Sequence, residues 1–111
     1  MSDPAAAFAA LAGRLLQEPG VSEGTGFGSE AGLRVGGKIF AMLVRGELVV
    51  KLPAARCVVL VASGMARPFD GGRERPLKAW ITVSETAEAQ WFALAAEALA
   101  FVGDRVSLDN G

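Results

Sequence analysis

Val35-Gly36-Gly37-Lys38-Ile39-Phe40-Ala41-Met42-Leu43-Val44-Arg45-Gly46-Glu47-Leu48-Val49-Val50-Lys51-Leu52-Pro53 is the longest β-type stretch in the chain. Glycine and proline interrupt it where strands should end. Gly36-Gly37 supplies the positive φ angles of a tight two-residue hairpin. Lys38 to Val44 is apolar on both faces, with Ile39, Ala41 and Leu43 against Phe40, Met42 and Val44, as expected of a central strand. Gly46 suits the left-handed position of a three-residue loop with a bulge. Glu47 to Leu52 alternates, Leu48, Val50 and Leu52 inward and Glu47 and Lys51 outward. Pro53 ends the strand because it cannot donate to a ladder.

Before the hairpin, Phe27, Ala31, Leu33 and Val35 share one face of a half-buried strand, weakened by Gly28 and Gly32. Val21 to Gly26 reads as a polar, Gly-rich connection. The first segment is an amphipathic helix. Asp3 caps it, Pro4 suits its first position, and Phe8, Leu11, Ala12, Leu15 and Leu16 form one stripe before Pro19-Gly20.

After the hairpin, residues 53–64 pose a conflict. Cys57-Val58-Val59-Leu60-Val61 alone has strand propensity. Pro53, the alanines that follow and Gly64 are helix start and stop signals. The flanks favour a helix with Cys57, Leu60, Val61 and Gly64 inward. Ala66 to Asp70 reads as a short strand, Asp70 to Pro76 as a turn and loop, and Leu77 to Val83 as a last strand. Ser84 or Thr86 caps a closing helix whose inner stripe is Trp91, Leu94, Ala95, Ala98 and Val102, with Gly103 as its stop. The expectation is one α+β domain over residues 1–103 and a flexible tail over 104–111. The order is α-β-β-β-α-β-β-α, with an antiparallel sheet of about five strands covered by helices in two layers.

At 111 residues the chain buries enough surface to fold without staples. No apolar run reaches the length of a membrane span, and Asp3 stands where a signal peptide would be basic. The single cysteine fits a reducing compartment, so a cytoplasmic location is expected.

Net charge is −1, but its distribution is uneven. Residues 34–78 hold nine of the eleven basic residues and three of the twelve acids. That imbalance suits either a solvated sheet edge or an anion-facing surface. Its densest part is Arg67, Arg73, Arg75 and Lys78, a candidate nucleic-acid contact in a wing-like loop, with Asp70 and Glu74 partly neutralising it. Trp80, nearby, is expected to pack under a helix rather than stack on a base.

The chain has no histidine and no tyrosine, which removes the commonest general base and metal ligand. One cysteine cannot build a thiolate zinc site, and Cys57 lies in an apolar run that suits inert packing. Gly26-Phe27-Gly28-Ser29-Glu30-Ala31 matches G-x-G-x-x-A, but a dinucleotide site needs a strand before it and a helix after it, the reverse of this context. Glu85 and Glu88 complement a helix N-terminus. No catalytic, metal or cofactor residues emerge, and a non-enzymatic role is expected. An apolar outer helix face of Ala55, Val58, Val59 and Ala62 suggests instead a partner protein or a second copy of the chain.

Gly32-Leu33-Arg34-Val35-Gly36-Gly37-Lys38-Ile39-Phe40-Ala41, followed by Leu48-Val49-Val50-Lys51-Leu52-Pro53, resembles the N-terminal domain of TfoX/Sxy proteins and the wider MmcQ/YjbR-like group. Pro76 to Val83 and the helix around Trp91-Phe92-Ala93-Leu94-Ala95 fit the same pattern, so the resemblance spans about residues 4 to 102. It implies a compact α+β fold and a helix over 53–64. TfoX-type proteins regulate natural competence, and MmcQ/YjbR-like proteins are suspected of binding DNA; neither brings catalytic residues. Two departures matter. Full-length TfoX has a second, C-terminal domain with no counterpart here, and Val58 and Val59 replace residues that are often polar in such proteins. The resemblance therefore implies a small regulatory or protein-interaction domain, with a nucleic-acid-binding module as the alternative.

Overall fold

The computed structural model describes residues 3–24, 31–69 and 79–110, the last five by their backbone alone. Helix α1 spans Pro4–Leu15. Strands β1 (Val21–Glu23), β2 (Ala31–Val35), β3 (Lys38–Val44) and β4 (Glu47–Lys51) follow, then α2 (Ala54–Ala62), β5 (Ala66–Pro68) and β6 (Trp80–Val83). A 3-10 segment over Glu85–Gln90 leads into α3, Trp91–Asn110. The six strands form one sheet in the order β1-β2-β3-β4-β6-β5, with every neighbouring pair antiparallel. This is the expected α+β class with one more strand. Among the described residues no helix is long and apolar enough to cross a membrane.

The extra strand is β1, in the stretch read as a connection. Its residues Ser22 and Glu23 are exposed, so it carries no hydrophobic alternation to announce it. Backbone pairing defines it: Val21, Ser22 and Glu23 lie opposite Val35, Arg34 and Leu33. The Gly24 N–H donates to the Gly32 carbonyl at 3.0 Å and carries the ladder one step further.

The central hairpins follow from their glycines. Gly36 (φ 57°) and Gly37 (φ 83°) form the expected two-residue turn between Val35 and Lys38. The next turn also has only two residues between the paired Val44 and Glu47, not the three-residue bulged loop expected. Arg45 itself takes a positive φ of 51°, beside Gly46 at 78°. Both central positions are left-handed, as a type I′ turn requires. Arginine bears a steric cost there that glycine does not, about 1 kcal/mol. Arg45→Gly should therefore leave the hairpin intact and shift the urea midpoint slightly upward or not at all, because the relieved strain opposes the extra unfolded-state entropy of glycine. A clear drop would show that the Arg45 side chain stabilises the turn.

A bulge does occur, one strand earlier. Leu33 pairs with Ala41 but Arg34 pairs with Ile39, so Phe40 is the extra residue on β3. The bulge reverses the parity of β3. Phe40, Ala41 and Leu43 join the helix-facing core, whereas Ile39 packs with Met42 and Val44 on the opposite side. Strict alternation had placed Ile39 and Phe40 the other way round.

All three helices bury their apolar stripes on one side of the sheet. Phe8, Leu11 and Leu15 of α1, Cys57 and Leu60 of α2, and Trp91, Leu94, Ala98 and Val102 of α3 share one core with Leu33, Phe40, Leu43, Leu48, Val50, Ile81 and Val83. The far side carries a second buried cluster of Met42, Val44, Val49, Phe69 and Trp80. Trp80 thus does not pack under a helix. Its ring lies 6.5 Å from that of Phe69, tilted by 60°.

The helix over residues 54–62 confirms the reading of the flanks over the valine-rich middle. Gly64 at φ 84° follows the C-cap Ser63 in the left-handed conformation that ends many helices. At the other end of the chain Gly103 is not a stop. Helix α3 continues to Asn110, through the segment expected to form a tail. Gly103 keeps helical φ, and a methyl there would meet only the Val35 side chain, at 3.9 Å. Glycine weakens a helix interior by about 1 kcal/mol, and burial of the preceding turn against the sheet outweighs it. The start of the closing helix is also less regular than expected. Ser84 caps Thr86 through its hydroxyl at 3.1 Å, but Ala87 (φ −105°, ψ 25°) breaks the 3-10 segment from α3.

Candidate functional site

The expected basic constellation is only partly visible. Arg73, Arg75 and Lys78, with the turn and loop around them, lie outside the described residues, as do Phe27 to Glu30 and most of the G-x-G-x-x-A match. Arg67 sits on β5 opposite Thr82. Its guanidinium donates to both oxygens of Glu47, at 2.6 and 3.1 Å. This two-pronged geometry, together with the carboxylate charge, raises the Arg67 pKa. Arg67 is therefore matched within the fold, and a phosphate reaching it would have to displace Glu47. Periodicity places both residues outward but does not reveal that they meet across β4, β6 and β5.

Arg56 is matched in the same way. It donates from α2 to Glu97 on α3 at 2.7 Å, with both side chains about 40% exposed (41% and 39%). Exposed pairs of this kind contribute little stability. The azimuth of α2 is set by the burial of Cys57 and Leu60, and the ion pair lies on the flank of that helix that meets α3.

The outer face of α2 is the clearest surface feature. Cys57 and Leu60 are buried at 5% and 4% exposure, whereas Val58 and Val59 are exposed at 67% and 56%. They are the exposed large hydrophobic side chains among the described residues. Ala54, Ala55 and Ala62 are exposed beside them. The structure thus brings together all four residues expected to form a partner face, Ala55, Val58, Val59 and Ala62, and no charged side chain interrupts them on α2.

Cys57 lies on the inner side. Its thiol donates to the Leu52 carbonyl at 3.6 Å, and burial pushes its pKa up. Both effects hold it as an unreactive thiol in the core.

The environment of Lys51 is not legible in the sequence. Its ammonium sits 5.9 Å from the centre of the Trp80 ring, on the far side of the sheet from the helices. Burial lowers its pKa most, and the positive charges of Arg105 and Lys38 add to the shift. No carboxylate within the described residues forms an ion pair with Lys51 or Arg105.

Elsewhere the chemistry is sparse. A groove of about 380 Å³ lies between α1 and the β1–β2–β3 corner, lined by Phe8, Ala12, Gly24, Gly32 and Leu43, with Glu23 at its rim. Its described lining residues include no nucleophile and no base–acid pair. Glu88 has one carboxylate oxygen shielded from solvent without a hydrogen-bond partner, and Glu85 is exposed. Among the described residues no three His, Cys, Asp or Glu side chains are grouped to hold a metal ion.

Comparison with known proteins adds one positive finding. The family model described as YjbR matches residues 16–100. No curated protein and no solved structure gives a significant match.

Proposed function

The chain belongs to the YjbR family, and from that premise we propose that it is a small regulatory interaction domain, without catalytic machinery of its own, that docks through α2. The observation that supports this reading is the pair Val58 and Val59, more than half exposed on a helix whose other outward residues are alanines. Isolated surface valines are ordinary. Two in succession, on a face without charge, on a helix held in rotation by the buried Cys57 and Leu60, make a patch that a partner can desolvate at low cost.

The occupant that fits with fewest assumptions is a second copy. A two-fold arrangement would set α2 against α2, with the valines of each copy meeting the alanines of the other. Light scattering on the full chain over a concentration series tests this. A dimer that dissociates with Val59→Glu, while the far-ultraviolet circular dichroism is kept, is the expected result. A wild-type chain that stays monomeric at high concentration would remove the self-association reading. A dimer unaffected by Val59→Glu would move the interface away from α2.

A further inference from the structure

We propose that the cavity between α1, the 3-10 segment and the start of α3 binds a free α-amino acid with an aliphatic side chain. No residue of α2 lines this cavity, and the proposal does not depend on the docking reading.

The cavity holds about 190 Å³. Ala7, Ala10 and Leu11 line it from α1, and Trp91 and Phe92 line it from α3. Its charged lining residues are Arg14 and Glu88. The opening follows from the local sequence. On the flank of α1 beside the buried Phe8 and Leu11, positions 7 and 10 are alanines, whose side chains are too short to fill the seam. The approach to α3 is also irregular. Ala87 leaves helical geometry (φ −105°, ψ 25°) before the chain resumes as a regular helix at Trp91.

Two opposite charges border this small space and do not satisfy one another. The Arg14 guanidinium lies 3.7 Å from the centre of the Phe92 ring. Contact with the ring face holds its plane and leaves the N–H donors at its edge free to bond. Among the described residues no carboxylate or carbonyl accepts from them. Glu88 has the complementary deficit: one of its carboxylate oxygens is shielded from solvent and has no hydrogen-bond partner. An unmet acceptor of this kind costs stability that an incoming donor recovers. The carboxyl turns on a soft terminal torsion, so this oxygen can be offered to a group that enters the cavity.

The chemistry of the ligand follows from the lining. It must bring an anionic group for Arg14, a cationic donor for Glu88 and apolar surface for Leu11, Trp91 and Phe92. It must also be small, because the space is below the roughly 300 to 1,000 Å³ of pockets that hold drug-sized molecules. A free α-amino acid carries both charges on one carbon. Its carboxylate matches the planar arginine fork, its ammonium supplies donors to Glu88, and an aliphatic side chain suits the rest.

The test is calorimetric titration of the full-length chain with L-leucine at neutral pH and low ionic strength. In parallel, the indole N–H resonances of the two tryptophans are followed by NMR. Saturable binding that shifts the Trp91 resonance, and leaves that of Trp80 on the far side of the sheet in place, is expected. Arg14→Gln and Glu88→Gln should each weaken binding about tenfold or more. Glu18→Gln should bind as the wild type, because Glu18 lines a neighbouring groove that shares only Arg14 and Phe92 with this cavity. Both test positions are at least partly exposed, so retention of the fold is expected and is checked by circular dichroism. Removing one charge from the ligand asks the same question without altering the protein. Isocaproate, which lacks the ammonium, and isoamylamine, which lacks the carboxylate, should each bind about tenfold or more weakly than leucine. Absence of saturable leucine binding, unchanged affinity in either variant, or an analogue that binds as tightly as leucine overturns the proposal.

Discussion

Replacing Gly32 by alanine should destabilise the protein by about 2 to 3 kcal/mol, more than glycine substitution at any of its turns. Gly32 is in the middle of β2, with an ordinary extended backbone, so conformational freedom is not the reason for it. The reason is space. A Cβ on Gly32 would fall on the carbonyl oxygen of Gly24, well inside van der Waals contact, and this obstacle is backbone rather than a mobile side chain. Gly24 cannot retreat without losing its own hydrogen bond to the Gly32 carbonyl, 3.0 Å long. The usual gain from glycine to alanine, about 0.4 to 1 kcal/mol through the unfolded state, is too small to compensate. Gly37→Ala is the contrast: nothing stands within 4 Å of its Cβ, and its cost comes only from φ 83°. Denaturant titration of both variants tests the difference, and hydrogen exchange locates it. In Gly32→Ala the amides of β1 should lose protection first. A Gly32→Ala protein as stable as wild type would mean that β1 yields freely and is not held by this contact.

Trp91→Ala should cost about 3 to 5 kcal/mol, enough to leave a substantial unfolded fraction at room temperature if overall stability is typical. Trp91 is 1% exposed and sits where the 3-10 segment passes into α3. Its indole contributes in two ways. The rings fill the core between α1, α3 and the sheet. The Nε1–H donates to the Ser84 carbonyl at 3.1 Å, tying the start of the closing helix to the end of β6. Trp91→Phe separates the two contributions. It keeps most of the apolar contact, removes the hydrogen bond, and should cost nearer 1 to 2 kcal/mol. Equal losses for the two variants would show that the tie to Ser84, and not the filled volume, dominates. Thermal unfolding followed by far-ultraviolet circular dichroism reads both.

The fold was legible wherever one local rule acted alone. The α1 cap, the Gly36-Gly37 turn, the stop at Pro53 and the helix of residues 54–62 each follow from a proline, a glycine or a periodic stripe. Sequence reading failed where the determining partner was distant in the chain. The β1 strand has too little apolar pattern to be seen, because its pairing with β2 is made by backbone groups. The Phe40 bulge has no marker glycine, and alternation cannot register one extra residue when both faces are apolar. Gly103 reads as a stop until Val102 is seen buried against the sheet. The surface behaved similarly. Val58 and Val59 were readable from helical spacing alone. The pairing of Arg67 with Glu47, and the approach of Lys51 to the Trp80 ring, depend on strand order.

Strand order also restricts how this protein can polymerise. The sheet ends in β1 on one side and β5 on the other, each three residues long. β5 contains Pro68, which has no N–H to offer a newcomer, and β1 passes into Gly24, whose N–H is already committed to Gly32. A neighbouring molecule that tried to extend the sheet by β-augmentation would find a short and partly capped template at either margin. Fibril-like growth through strand edges is thereby suppressed in a protein whose centre is rich in valine and leucine. In the proposed reading association falls to the α2 face, where a two-fold contact would close on itself and not propagate.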